Sequence, residues 1–461
     1  MNLYFIWRKF LRSAVSLGAF PLLAWPLISA ASFDLFSTEQ YTASGPFAST
    51  SDPAQCNRDK ILKPLTLADV VELTLCNNPQ TRSTWSNARV QAAQLGSSKA
   101  SYLPILTGPI SVSRYQKSAG ITVSYLLYDF GGRAAGVENS RQLLLAANAT
   151  RDETLQTTFL SAVQAYYALL SARASVEAFK KAEAAANKSL DAVQARYQTG
   201  SAMQADRLQA QTAVSQALLS RIRAEGDAST AQGTLANNMG FDANQPFELA
   251  PTPDTPPDPN VEKDIGKLIT EARQNRPDLL AAEAQIRAAE ANQVVIKASG
   301  LPTFTLNAGA TKAEFRNAGV TTTLNDTSIG ISVQIPWFSG YRDTYKNRAA
   351  QAQVEGTVAD RDRVANQIAL DVWSAYQILL TSSQALRAAN DLVASATQFE
   401  QMAIGRYKNG VGSILDMLTA QSTLASAQQQ RVAALYNFQT GKFVLARAIG
   451  QLDMTLVNVN Y

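Results

Sequence analysis

Few residues in this chain are equipped for covalent chemistry. Its 461 residues include no histidine, which removes Ser-His-Asp and Cys-His nucleophile arrangements, histidine proton shuttles and the commonest zinc ligand. No catalytic residue, cofactor site or metal site is therefore expected. The two thiols, Cys56 and Cys76, suit a disulfide in an oxidising compartment, with two buried, unlinked cysteines as the alternative. Closing that loop of about 19 residues would stabilise by roughly 3 kcal/mol. What remains is acidic. Asp206 and Asp416 each follow an Arg-Tyr-x-x-Gly run by a few residues. Carboxylates repeated around an axis focus negative potential and select cations in a pore. Taken singly, either aspartate also reads as a helix first-turn residue favoured by the helix dipole.

The elements that would position these residues are written twice. Asn77-Asn78-Pro79-Gln80 corresponds to Asn275-Arg276-Pro277-Asp278, and Tyr102-Leu103-Pro104 to Gly300-Leu301-Pro302, both at an offset of about 198 residues. Arg196, Tyr197, Gly200, Asp206, Leu208 and Gln211 correspond to Arg406, Tyr407, Gly410, Asp416, Leu418 and Gln421 at about 210. Each copy reads helix, two strands, very long helix, turn, helix. The first helix is predicted from about Ala68 to Ser101 and its twin from Ile265 to Ser299, each stopped at a Leu-Pro. Ile329, Ile331, Val333, Ile335 and Trp337 then fall on one parity, as do Phe304, Leu306, Ala308 and Ala310, and Ile121, Val123, Tyr125 and Leu127. That alternation predicts two strands of about ten residues per copy. Runs from Ala134 to Tyr197 and from Asp343 to Tyr407 contain no proline, and as helices they would measure roughly 90 to 100 Å. Leu155, Phe159, Ala162, Tyr166 and Leu169 step by three and four along the first, Val364, Ile368, Val372, Ala375 and Leu379 along the second. These are coiled-coil seams, and their length requires partners equally long. The antiparallel returns, rich in Ala, Gln, Ser and Thr, could line water.

Compartment and charge narrow the function. Arg8, Lys9 and Arg12 precede an apolar run ending in Ser29, Ala30 and Ala31, a secretory signal over 1–31. Removing it lowers the formal charge from +4 to about +1, which gives nucleic-acid binding no support. The remaining segments are a polar stretch over 32–61, a first repeat over 62–240 with strands at about 104–130, and a Pro-rich linker over 241–263. A second repeat follows over 264–450, with strands at about 302–338, and a C-terminal segment over 451–461. Four amphipathic strands cannot close a membrane barrel, because lipid forbids open edges and single-chain barrels begin at about eight strands. The chain must therefore oligomerise. Tyr102, Tyr115, Tyr128, Phe130, Trp337 and Phe338 are placed as an interfacial girdle would place them.

The duplicated pattern resembles the TolC family of outer-membrane channel-tunnels. The resemblance is carried by the Asn-x-Pro motifs, the Leu-Pro before each strand pair, Phe130-Gly131-Gly132-Arg133 and Phe338-Ser339-Gly340-Tyr341-Arg342 after it, and the paired Arg-Tyr-x-x-Gly turns. It covers about 62 to 450, and the cysteine pair and missing lipid anchor look nearer the secretion branch that includes the adenylate-cyclase toxin exporter of Bordetella. The resemblance implies a mainly α fold with a membrane β part. A homotrimer would share one 12-stranded β-barrel in outer-membrane lipid above a coiled-coil α-barrel crossing the periplasm. It further implies that Arg196, Tyr197, Gly200, Arg406 and Gly410 form a periplasmic tip docking an adaptor, itself coupled to an inner-membrane ABC or proton-driven pump. Asp416 and Asp206 match the acidic constriction, and Tyr407 the tyrosine whose hydrogen bonds hold the inner helix pair closed. Two positions depart from the pattern: an arginine position is Gly412 here, and a second acidic position is Thr419. Such a chain would be a passive exit channel for secretion or efflux. The alternative, a periplasmic coiled-coil adaptor or scaffold, predicts one helical hairpin with flanking small β domains rather than a full duplication carrying four membrane-type strands.

Overall fold

A computed structural model describes residues 34–42, 63–250, 264–317 and 320–458. Residues 1–37 and 38–461 are separate units. The signal segment, Cys56 and most of the Pro-rich linker lie outside the described residues.

Helix α1 (Leu67–Asn77) opens with a reciprocal cap: Thr66 Oγ1 accepts the Asp69 N–H at 3.2 Å while Asp69 Oδ2 accepts the Thr66 N–H at 3.1 Å. It stops at Asn77 because Pro79 cannot donate and restricts the residue before it. Asn78 caps α2 (Pro79–Ala100), its Oδ1 accepting from the Gln80 N–H at 2.8 Å. The second copy breaks at the same joint, into α5 (Ile265–Asn275) and α6 (Pro277–Ala298). The single helices expected over 68–101 and 265–299 are thus two each, because proline at the first position of a helix starts one as readily as it ends its predecessor.

Strands β1 (Ile105–Thr107) and β2 (Ile110–Val112) both pair with β3 (Gln116–Tyr128). They are one edge, divided at Gly108-Pro109, where the expected ten-residue strand meets a residue with no N–H. In the second copy β4 (Thr303–Asn317) and β5 (Val320–Gln334) pair along their whole length. One antiparallel sheet results, in the order β1/β2, β3, β4, β5.

Helices α3 (Gly132–Gln198) and α7 (Arg342–Lys408) are each 67 residues long, roughly 100 Å at 1.5 Å per residue. Their returns are α4 (Gln204–Asn238) and α8 (Ile414–Ala448), each 35 residues, and a short α9 (Thr455–Asn458) follows. The return covers one half of each long helix, and the other half packs on α6. The predicted seams are the buried ones: Leu155, Phe159, Ala162, Tyr166 and Leu169 meet Val70 and Val71 of α1, Leu235 of α4 and Met239 just past it. Ile368, Val372, Ala375 and Leu379 meet Leu268 and Leu279 with Phe438 and Leu445.

Two glycines close this core. Gly240 and Gly450, just past α4 and α8, have φ of +77° and +75°. A Cβ on Gly240 would stand 2.8 Å from the Asn77 carbonyl oxygen, and one on Gly450 would stand 3.0 Å from the Asn275 carbonyl carbon. The end of each return helix therefore docks on the end of the first helix of its own copy, through an approach only glycine permits.

Candidate functional site

Register turns the strand alternation into a surface. Ile121 opposes Ala310, Val123 opposes Ala308 and Tyr125 opposes Leu306. Across the next pair Leu306 opposes Ile331, Ala308 opposes Ile329 and Phe304 opposes Val333. All of these share one face, joined by Leu106, which opposes Val123. The other face carries Ser118, Thr122 and Ser124, then Thr305, Asn307 and Thr311, then Asp326, Ser328 and Ser332. Ile329 is 80% exposed and Trp337 88%, although neither side chain is stable against water in such a cluster. In β5 the apolar parity runs from Ile329 to Val333, and Ile335 and Trp337 follow just past the strand end at Gln334, so the band lies at the end of the strand that faces the helices. Toward the hairpin ends the same face turns polar at Lys117 and Lys312. Tyr128 rests edge-on against Phe130 with centroids 4.8 Å apart, and Phe338 against Tyr341 at 5.6 Å, at the end where the sheet meets the helices. Among the described residues the outer edges of the sheet, β1/β2 on one side and β5 on the other, have no further strand beside them.

At the opposite ends of the long helices lie two matching turns. Gly200 has φ +74° and Gly410 +76°. The Ser201 N–H donates to the Arg196 carbonyl at 2.8 Å and the Val411 N–H to that of Arg406 at 3.0 Å, the left-handed glycine stop of a helix in both copies. The aspartates are the third residues of the returns. Asp416 Oδ2 accepts the Ser413 N–H at 3.4 Å while its own N–H donates to Ser413 Oγ at 3.1 Å. Asp206 Oδ2 accepts the Met203 N–H at 2.9 Å, with no hydroxyl at Met203 to reciprocate. Both carboxylates therefore cap helices, which explains their spacing from the turns. Asp416 is exposed and Asp206 half-buried, so capping leaves each an oxygen toward solvent.

Tyr407 is only 7% exposed and packs with Val193, Ala210, Ile414 and Met417. Among the described residues its hydroxyl makes no hydrogen bond, so neither aspartate is joined to it in that way. Instead the Arg196 guanidinium lies over its ring, 4.5 Å from the centroid, and donates to the Lys408 carbonyl at 2.9 Å. Tyr197 is covered by Arg207 of its own hairpin at 5.1 Å, while Arg406 is exposed. Sequence reasoning placed Arg196 and Tyr407 at the tip but missed their contact, which depends on how the two hairpins lie together. Cys76 is half-buried in the last turn of α1; Cys56, its expected partner, lies outside the described residues.

The family model described as outer membrane efflux protein matches residues 70–240 and 268–451, the two repeats. The chain belongs to that family. Among curated relatives it is 27% identical to Protein CyaE of Bordetella pertussis over 410 residues, 86% of each chain. It is 24% identical to outer membrane protein TolC of Vibrio cholerae, covering 86% of this chain and 93% of that one. Among solved structures, the outer-membrane channel OprN superposes with a TM-score of 0.74 at 20% identity, over 89% of this chain and 95% of that one, which shows the fold. The protein is thus a passive outer-membrane channel subunit and not an enzyme. In its fold a trimer joins a helical barrel to a β-barrel. An open edge of this kind requires a strand from another subunit, because lipid tolerates no unpaired edge. The adaptor alternative required one helical hairpin with flanking small β domains; the described residues form two helical hairpins in a full duplication and one shared sheet.

Proposed function

We propose that this subunit forms the exit duct of a tripartite type I secretion or efflux system. Arg196, Tyr197, Gly200, Arg406 and Gly410 meet a periplasmic adaptor, and Asp416 with Asp206 rings the throat. An inner-membrane ABC or proton-driven pump supplies energy and selects cargo, since nothing in a passive duct performs work. The observation that carries this reading is the pair of tips, which share one turn geometry and present a solvent-facing carboxylate from the same helical position in each copy. Six such positions in a trimer would place a ring of negative charge in a narrow passage. A Cys56–Cys76 disulfide completes the proposal by tying the N-terminal segment to α1.

Single-channel conductance of the purified trimer in a planar bilayer tests the throat. Asp416→Asn removes the charge and keeps an oxygen for the Ser413 N–H. The wild type is expected to show small, cation-selective steps that divalent cations block, and the variant to lose most selectivity and block. Selectivity unchanged in the variant removes Asp416 from the throat.

A further inference from the structure

We infer that the two tips of one subunit are clamped by Arg196, acting on the face of the Tyr407 ring and on the last carbonyl of α7, so that closure needs the ring and not its hydroxyl. The inference rests on the reading of the tips as the closing end of the channel.

The geometry is one-sided in a way duplication alone does not produce. Tyr197 and Tyr407 are equivalent by position, yet Tyr197 is stacked from within its own hairpin by Arg207. The residue equivalent to Arg207 in the second copy is Met417, buried beneath the tip. A thioether cannot supply a cation, so the Tyr407 ring is left for one from the other hairpin, and Arg196 supplies it. The same guanidinium donates to the Lys408 carbonyl, at the negative end of the α7 dipole, where a cation is favoured. Arg196 also lies in the last turn of its own helix, α3, so one charge serves two helix C-termini.

Two competing fastenings are weak in this chain. Asp206 Oδ2 accepts the Met203 N–H at the start of its own helix and does not reach Tyr407, whose hydroxyl accepts or donates no hydrogen bond among the described residues. Gly412 is crowded as well: a Cβ there would stand 3.0 Å from the Arg406 Cβ and 3.1 Å from the Tyr407 nitrogen. A long cationic side chain at that turn would have to displace the tip, and Arg196 reaches the same neighbourhood from the other copy.

The clamp makes a prediction that a hydroxyl latch reverses. In planar bilayers, trimers carrying Tyr407→Phe should conduct as the wild type does, because a phenyl face still attracts a guanidinium. Tyr407→Leu and Arg196→Ala should each raise the open-to-closed ratio roughly tenfold, and the double variant should add little, since each change removes the same contact. Arg196→Lys, which keeps the charge but loses the planar fork, should lie between. A parallel measurement places spin labels at Thr199→Cys and Asn409→Cys and reads the tip-to-tip distance by electron resonance. Arg196→Ala and Tyr407→Leu should broaden or lengthen that distribution and Tyr407→Phe should not. Opening by Tyr407→Phe equal to that by Tyr407→Leu, or an unchanged distance in Arg196→Ala, overturns the clamp. A lengthened distance with unchanged conductance upholds the clamp and rejects the tips as the narrowest point, so the two readings fail separately.

Discussion

The same joint is built twice in this chain and held by different chemistry each time. In the first copy Asn78 precedes Pro79 and its amide oxygen caps α2. In the second copy the equivalent residue is Arg276, which cannot accept a hydrogen bond and leaves α6 without a side-chain cap. Its guanidinium, on a side chain 7% exposed, instead bridges Asp278 at 2.6 Å and Asp371 of α7 at 2.8 Å. One copy satisfies the joint locally, through backbone; the other ties it to a long helix through an ion triad. Local satisfaction can be lost at modest cost, because water replaces it. A buried charge deprived of its partners, or carboxylates deprived of theirs, has no such substitute.

Substitutions at equivalent positions can break this contrast, beginning with the largest effect. Arg276→Ala should destabilise the detergent-extracted trimer by about 2 to 3 kcal/mol, less than a fully buried pair because both aspartates are partly solvated. Asn78→Ala should cost only about 1 kcal/mol. Thermal denaturation followed by circular dichroism measures both, and equal losses would erase the distinction. The glycine contacts are expected to differ less. Gly240→Ala, with its closer approach to backbone, should cost about 2 kcal/mol and Gly450→Ala slightly less, both from the left-handed backbone and the crowding. The smallest pair sharpens the comparison at the tips. Ser413→Ala should cost about 1 kcal/mol, whereas Met203→Ser should gain roughly 0.5 kcal/mol by completing the cap that the first tip lacks. No gain from Met203→Ser would mean that the methionine side chain contributes at the tip in another way.

How much of this was readable depended on whether a feature repeats along the chain or is formed across it. The long helices and their seams were legible because Phe159 and Val372 belong to a three-and-four spacing that only a helix satisfies, and the sheet face because Ile329, Ile331 and Val333 alternate. The Asn-x-Pro joints were visible as repeated helix ends, yet the helices over 68–101 and 265–299 were still read as continuous: periodicity continued on both sides of Pro79, and a proline that starts a helix looks in sequence like one tolerated inside it. The division of the first strand at Pro109 was lost because a strong neighbour, β3, carried the alternation. At the tips, Asp206 and Asp416 were found through duplication, but their capping role is a local hydrogen bond, and the Arg196 contact joins residues 211 positions apart. No local pattern encodes such a contact, since Arg406 has the same sequence surroundings and makes no matching one.

The sheet has a consequence for how the assembled molecule comes apart. Each subunit offers a fifteen-residue β5 edge to a neighbour, but the edge it receives in return is two three-residue pieces separated by Gly108-Pro109. Inside a subunit the ladders between β3, β4 and β5 are long and nearly uninterrupted. A trimer closed in this way has three seams, each built on an edge that is divided at Gly108-Pro109. Heat or detergent should unzip the barrel along those seams first, releasing subunits with their own sheets intact.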